Sequence, residues 1–382
     1  MARATRAGRA IVIGACTLAI LGLFGAVVRQ SYVVNRDAAE IVRLEAQGAA
    51  VLHTMTSLLA ELVAAQSAAV RGEPVDADGL RRALADAAQE GSPYGASLQT
   101  TQRFRDLRVE VESLLGRSET GRAAYNSYSL VVRLGVDLIR RIGDTSHLVH
   151  DPDLDSYYLM DAAIIRLPSA MVLAGQAADL VALAGGKALT GEDAIKAAVA
   201  RFGVSTAAEE VSAGLSKSID FTSRSALGTN ITDRLDAFKA AADAFAPPTI
   251  LFGLAGVIEA GALAADARRV AAAADPLAHR LLSELEVLLQ TRASRLAGQW
   301  RFTAIAGGVA TAIALLILWL IVFPRPGTAA VAASADGPRT PRPGELQLGS
   351  LAYAREVLDG DRVVHVGRAA RPRAREAGDA AG

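Results

Sequence analysis

The chain has 382 residues with 40 basic and 40 acidic side chains, so no net charge directs it toward nucleic acid or any strongly charged partner. Hydrophobic residues make up 51% of the chain and aromatic residues only 5%. Most of the hydrophobic residues are therefore aliphatic, chiefly Ala, Leu and Val. Since Ala and Leu are strong helix formers, this composition favours an all-α protein. The single cysteine, Cys16, excludes an internal disulfide framework and a cysteine-based zinc site.

Two uncharged apolar segments, residues 10–28 and residues 303–323, each approach the roughly 20 residues that cross a bilayer as a helix. Arginines lie on one flank of each segment: Arg3, Arg6 and Arg9 before the first, and Arg325, Arg339 and Arg342 after the second. The positive-inside rule therefore predicts that residues 1–9 and the C-terminal tail are cytoplasmic. Residues 29–302 are then an extracytoplasmic domain, and Trp300 anchors the second span at the outer interface.

Two other interpretations of the first apolar segment stay open. A cleaved signal peptide requires a small-residue site after the apolar run, whereas this run ends in Val28 and Arg29. A lipid anchor on Cys16 would place the modified cysteine in the middle of the apolar run, and the simpler interpretation is a buried, inert thiol. The uncleaved membrane helix is the interpretation that the flanking residues favour.

Helical periodicity continues through the extracytoplasmic region. The apolar seam after the first span consists of Ile41, Leu44, Gly48, Val51, Met55, Leu58, Leu62 and Ala65, and a second seam before the other span consists of Leu282, Leu285, Leu289 and Leu296. No breaker separates the first seam from its span, and the second helix is predicted to begin near Pro276. These narrow seams, with the small residues Gly307 and Gly308 in the second span, predict a homodimer.

Clusters of Gly, Pro and small polar residues divide the region between the seams into further helices. They lie at residues 72–78, 91–95, 116–121, 185–193, 225–230 and 246–249. About 270 residues is long for one four-helix bundle, so the sequence predicts two bundles stacked along the stalk. A helix from Leu154 to about Ala184 is shared between them, and Pro168 should kink it.

The segment HDPDLDSYYLMD, residues 150–161, has three chemical interpretations. As a calcium loop it fails, because Ser156 and Ala162 stand where Gly and Glu are required. His147, His150 and Asp151 remain a weaker candidate for a transition-metal site. A catalytic carboxylate pair lacks any recognisable nucleophile or phosphate motif in this sequence, so we predict neither enzyme activity nor a cofactor.

The same segment is well explained as a turn between helices. Pro152 favours an extended conformation of the residues before it. Asp153 or Asp155 then caps the next helix, where a carboxylate accepts free backbone N–H groups at the positive end of the helix dipole. Asp151, Pro152, Asp153 and Asp155 are therefore assigned to a structural turn and helix cap.

Residues 142–171 also resemble a segment of the extracytoplasmic helical sensor regions of bacterial chemoreceptors, sensor histidine kinases and related receptors. The resemblance rests on DPDLDSYYLMD and the following RLP, and it covers about thirty residues. It implies an inner-membrane receptor whose outer bundle binds a small ligand or a partner. Side chains near the segment that suit a carboxylate and an aromatic lid are Arg133, Arg140, Arg141, Tyr157, Tyr158 and Arg166. The alternative is that Asp161 and Arg166 form a surface or interhelical pair and one tyrosine lies in the core.

The C-terminal part departs from a complete receptor. Residues 324–345 are rich in Pro, Ala and Gly and predict a flexible linker, and residues 346–382 form a short, mostly disordered cytoplasmic tail without a kinase or methyl-accepting module. We expect signalling through a separate cytoplasmic partner that binds residues 346–368. A structural or assembly protein of the envelope, whose bundle is a protein-binding stalk, is the alternative. A degraded receptor without output is the third hypothesis.

Overall fold

The computed structural model describes residues 2–150, 154–221, 226–247 and 260–322. Helices account for nearly all of these residues, and no β-strand occurs among them, which confirms the predicted all-α class. The predicted linker and cytoplasmic tail, residues 324–382, lie outside the described residues. So do Asp151, Pro152 and Asp153 of the predicted turn.

The described residues form nine α-helices: α1 Ala2–Arg71, α2 Ala77–Gly91, α3 Thr101–Leu115, α4 Gly121–Thr145, α5 Leu154–Met160, α6 Leu167–Leu183, α7 Gly191–Phe221, α8 Ala226–Phe245 and α9 Ala260–Val322. Most helix ends coincide with the predicted breaker clusters. At the start of α2, for example, the Asp76 carboxylate accepts a hydrogen bond from the backbone N–H of Gly79 at 2.8 Å. Helix α8 likewise begins at Ala226, inside the cluster at residues 225–230.

The two longest helices, α1 and α9, pack against each other in an antiparallel pair. The Tyr32 and Trp300 rings contact at 4.9 Å between centroids. Further toward the chain ends, a Cβ on Gly307 would lie 3.4 Å from the Phe24 ring. The first span therefore continues without a break into the seam that follows it, as predicted, and the two predicted spans lie side by side within one chain.

Pro276 lies inside α9 and not in the first turn of a new helix, so this prediction is wrong. A proline in a helix interior removes one backbone hydrogen bond and crowds the preceding turn. The residues on both sides offset that cost, because Val270, Ala274, Leu277 and Leu281 are completely buried. Tertiary packing thus holds the helix together across a residue that local propensity would place at its beginning.

Two groups of four helices lie side by side, joined by contacts of α1 with α9 and α6. Helices α1–α4 form one group, and α6–α9 form the other. Gly48 of α1 contacts Ser146, Glu45 of α1 pairs with Arg292 of α9, and Glu284 of α9 accepts from Asn230 of α8. These three contacts lie at similar positions along the helices. The two bundles are therefore adjacent, whereas the sequence predicted that they would be stacked. Helix α6 contacts both groups, in agreement with its predicted shared role.

Pro168 marks an irregularity in the shared helix. A six-residue π-helix, Asp161–Arg166, separates α5 from α6, and the backbone N–H of Leu167 donates to the carbonyl of Ala162. Because Pro168 has no N–H to offer the carbonyl of Ile164 and its ring crowds that carbonyl, a widened turn before it relieves the conflict. The predicted distortion at Pro168 therefore takes the form of a π-helix.

Three helical segments among the described residues are long and apolar enough to cross a membrane: Gly14–Arg71, Leu154–Leu183 and Gly261–Trp319. Their surroundings differ. The most apolar window of Leu154–Leu183 is 67% buried by neighbouring helices, whereas the windows of the other two are 0% and 6% buried. Large apolar side chains such as Leu23 and Phe302 are exposed to more than two thirds of their surface. These features indicate a membrane protein.

Candidate ligand pocket

A cavity of about 620 Å³ lies between α4, α6 and α7. Its lining residues are Tyr125, Asn126, Ser129 and Arg133 of α4, Leu173, Gln176 and Leu180 of α6, and Ile195, Lys196, Val199 and Ala200 of α7. Ligand pockets of small molecules commonly enclose 300–1,000 Å³ and combine an apolar wall with a few polar groups. The cavity fits that description in both size and lining.

Helical spacing brings these side chains together. The lining residues of α6 recur at intervals of three and four, and those of α4 and α7 include neighbouring positions as well as positions one turn apart, so on each helix they share one face. At the lower end of the cavity, a Cβ on Gly203 would lie 2.6 Å from Leu173, which means that α6 and α7 approach closely there. At the upper end, the Arg122 guanidinium donates to the Asp193 carboxylate at 3.2 Å and links α4 to α7. The cavity occupies the space between these two contacts.

The charged lining residues are both cationic. Lys196 pairs with Glu192 one turn earlier on α7, at 2.6 Å. Arg133 has neither an ion pair nor a hydrogen bond within the described parts of the chain. None of the eleven described lining residues is acidic. The cavity therefore offers hydroxyl and amide groups, an aliphatic wall and one guanidinium with no internal counter-ion.

A buried polar cluster lies behind the cavity. The Ser129 hydroxyl donates to the Gln66 side-chain oxygen at 3.4 Å, and the Gln66 amide donates to Oδ2 of Asp179 at 2.8 Å. Asp179 is completely buried. Burial raises the pKa of the Asp179 carboxyl to about 6, although the Ser67 and Gln66 side chains partly lower it. Its Oδ1 has no normal hydrogen bond to the described residues, so the cluster is incompletely satisfied.

One of the six predicted ligand residues, Arg133, lines this cavity. Arg140 is exposed on the same helix, and Arg141 donates to the Gln99 side chain. Of these three arginines of α4, the structure therefore places only Arg133 at the cavity.

The other three predicted ligand residues lie along the contact of α5 and the π-helix with α7. Tyr157 and Tyr158 form an edge-to-face pair at 5.4 Å, and the Lys217 ammonium lies over the Tyr158 ring at 5.4 Å. Arg166 pairs with Asp161 at 3.1 Å and with Glu210 of α7. Asp161 and Arg166 therefore pair within the π-helix, and the partner of Arg166 on another helix is Glu210.

Of the four residues assigned to the turn and cap, only Asp155 is described. It lies in the first turn of α5, where its Oδ1 accepts from the backbone N–H of Ser156 at 2.9 Å. Its backbone carbonyl accepts the Ser218 hydroxyl at 2.8 Å and ties α5 to α7. Within the described ranges, no group of three His, Cys, Asp or Glu side chains has the arrangement of a metal site.

A second polar cluster connects α1 and α9 above the predicted spans. Nδ1 of His53 and Nδ1 of His279 are 2.9 Å apart, so the rings share one proton and at least one ring is neutral. His279 Nε2 lies 2.9 Å from the Ser57 hydroxyl, and His53 Nε2 lies 3.5 Å from Glu286. Burial, and to a lesser degree His279, lower the pKa of His53 to about 4.

Most residues of the two clusters and the cavity were missed by sequence reasoning. A usable signal existed for Gln66 and Asp179, because each interrupts an otherwise apolar helical face of Ala, Leu and Val. His53 and His279 carried no comparable signal, since 226 residues separate them and only the antiparallel packing of α1 and α9 brings them together.

Comparison with family models, curated proteins and solved structures finds no match to this chain. The resemblance of residues 142–171 to receptor sensor regions therefore stays a prediction.

Proposed function

We propose that this chain is a two-pass sensor-like protein of the bacterial inner membrane. In this proposal, residues 10–28 and 303–323 cross the membrane and both termini are cytoplasmic. Residues 29–302 form an outer helical domain that binds a small ligand, and the bound state is passed to a separate cytoplasmic partner through residues 346–368. The bacterial setting and the receptor role come from the resemblance of residues 142–171 described above.

The observation that carries the proposal is the cavity between α4, α6 and α7, which belongs to a helical domain continuous with two apolar helices. Almost no residue in the most apolar windows of α1 and α9 is buried by protein, and lipid would cover this surface. The apolar window of Leu154–Leu183 is mostly covered by protein, which supports a role in the core of the outer domain. Two spans, and not three, then remain.

The antiparallel pair of α1 and α9 supports a route from the outer domain to the membrane. Helix α6 forms one wall of the cavity and also contacts α1 and α9. A ligand that moves α6 relative to α7 would therefore act on helices that continue into the proposed spans. Such a change requires the ligand to bind two arrangements of α6 with different affinity.

An envelope protein whose outer domain binds another protein is the second candidate function. It is favoured by an apolar stripe on α7, where Ile195, Val199 and Phe202 are 65%, 62% and 57% exposed. Their spacing of four and three residues places them on one face of the helix, as in helices that bind a partner.

A thermal-shift screen of the full-length protein in lipid nanodiscs separates the two functions. A sensor is stabilised by at least one class of small molecule in a metabolite library, because a ligand that binds only the folded state raises the melting temperature. A binding stalk shows no such shift. A pull-down with residues 346–368 then tests the output, and recovery of no signalling protein would contradict that part of the proposal.

A further inference from the structure

We infer that the cavity between α4, α6 and α7 binds a small monocarboxylate with an apolar body and no amino group. This inference rests on the proposed function, since it assumes that the cavity holds a ligand, and it adds the chemical class of that ligand. Three features of the cavity support it: the charges of its lining residues, its length along α4 and the polar groups that the lining offers.

The charge balance of the cavity leaves one solvent-exposed cation without a protein partner among the described residues. Lys196 has its own counter-ion, because Glu192 lies 2.6 Å away. Arg133 has no partner in the described ranges, although its guanidinium carries five N–H donors. A guanidinium binds a carboxylate through two parallel hydrogen bonds, which an alcohol or amide does not match. One unpaired guanidinium therefore selects a ligand with one carboxylate.

The dimensions of the cavity fit an elongated ligand. Asn126 and Arg133 are seven residues apart on α4, which corresponds to a rise of about 10 Å along the helix. Between these levels the wall is formed by Leu173 and Val199, with Ser129 and Gln176 as hydrogen-bonding groups. A ligand whose carboxylate contacts Arg133 would place an aliphatic or aromatic body against this wall.

No described lining residue supplies a carboxylate for an ammonium, and Glu192 and Asp193 at the edge of the cavity already pair with Lys196 and Arg122. The Asp179 carboxylate behind the described wall is fully buried and already accepts a hydrogen bond from Gln66 at 2.8 Å. A free amino acid or an amine would therefore leave its charge without a counter-ion in the cavity, at a cost in affinity.

Three probes of nearly equal size test this class: hexanoate, its neutral amide hexanamide, and its 2-amino derivative norleucine. Binding to the full-length protein in nanodiscs is measured by calorimetry at pH 7.5. We expect hexanoate to bind at least about tenfold more tightly than hexanamide, because a hydrogen bond to a charged group is stronger than a neutral one. We expect the same margin over norleucine, because its ammonium has no counter-ion among the described lining residues.

Two matched variants locate the effect. Arg133→Gln should abolish the preference for hexanoate over hexanamide, whereas Arg140→Gln, an equally exposed arginine two turns further along α4 that does not line the cavity, should leave it unchanged. The melting temperature of each variant without ligand, compared with that of the native chain, verifies that both proteins are folded.

Three results would overturn the inference. The first is equally tight binding of hexanamide or norleucine, and the second is a hexanoate preference that survives Arg133→Gln; in both, the cavity remains a ligand site of another class. The third is that none of the probes binds. In that case the library screen described above decides independently whether the protein binds small molecules at all.

Discussion

Asp179 conflicts strongly with its surroundings, because its completely buried carboxylate lies in a helix of apolar residues and the Gln66 and Ser67 side chains only partly offset that burial. Its folded-state pKa is raised from 3.8 to about 6 by burial. A carboxyl with a raised pKa contributes stability that is fully present below its unfolded pKa. That stability is lost as the pH rises through the folded value.

Asp179→Asn should therefore stabilise the protein at pH 7.5, because the amide is never charged. We expect an increase in the free energy of unfolding of up to about 3 kcal/mol, the equivalent of the pKa difference. The melting temperature of the variant should exceed that of the native chain at pH 7.5, and the difference should vanish near pH 4. Asp86→Asn, at an exposed position on α2, is the control and should change neither value.

His53 responds to pH in the opposite sense. Its folded-state pKa of about 4 lies below the ordinary value of 6.5, so the unfolded chain binds the proton more readily. The contribution of His53 to the free energy of unfolding is therefore fully present above pH 6.5 and decreases as the pH falls toward 4. The titratable groups that face it are His279 and Glu286, with Asp275 next to His279.

His53→Gln removes this titration and keeps a side chain that can hydrogen-bond to His279. Relative to the native chain, the variant should gain about 2 kcal/mol between pH 7 and pH 4.5, measured from melting temperatures at both values. His147→Gln, at an exposed histidine in the turn after α4, should show no such gain. If the melting temperatures of the His53 variant and the native chain decreased by the same amount between pH 7 and pH 4.5, that result would contradict the assignment.

At the scale of the helices, Gly48 determines how closely α1 and α4 approach. A Cβ at this position would lie 2.4 Å from Cβ of Ser146 and 3.2 Å from the Leu148 side chain. Since Ser146 is itself buried, the backbone would have to move to admit even one methyl group.

Gly48→Ala should destabilise the protein by about 1–3 kcal/mol in spite of the better helix propensity of alanine. Gly298→Ala is the matched change, because a Cβ there meets no atom within 4 Å. It should instead stabilise α9 by up to about 1 kcal/mol. Melting temperatures that shift in opposite directions would confirm the close contact, and a shift of both in the same direction would contradict it.

The helices themselves were largely predictable, and their partners were not. Composition, periodicity and the Gly and Pro clusters predicted the all-α class, most helix ends and the unbroken α1. They failed at Pro276 because the burial of residues such as Leu277 and Leu281 overrides a local preference. Arg133, which was singled out by its side-chain chemistry, lines the cavity. The rest of the cavity depends on which faces of α6 and α7 meet, and a single sequence does not contain that information.

For the whole molecule, the packing changes the argument for a homodimer. Most of the first apolar seam, including Met55 and Leu62, is buried inside the chain, and so are Leu282 and Leu285 of the second. Gly307 contacts Phe24 and Val28 of the same chain, whereas a Cβ on Gly308 meets no atom within 4 Å. Narrow seams therefore reflect the pairing of α1 with α9. A homodimer stays a prediction that rests on other surfaces.

The central claim is that an outer helical domain is carried by two membrane helices with both chain ends in the cytoplasm. Single cysteines in a Cys16→Ala background test it most directly, with a membrane-impermeant maleimide added to intact spheroplasts. Asp86→Cys on exposed α2 should be labelled at once, and Ala2→Cys and Gly382→Cys only after lysis. Protection of Asp86→Cys in intact spheroplasts, or opposite behaviour of the two terminal cysteines, would contradict the claim.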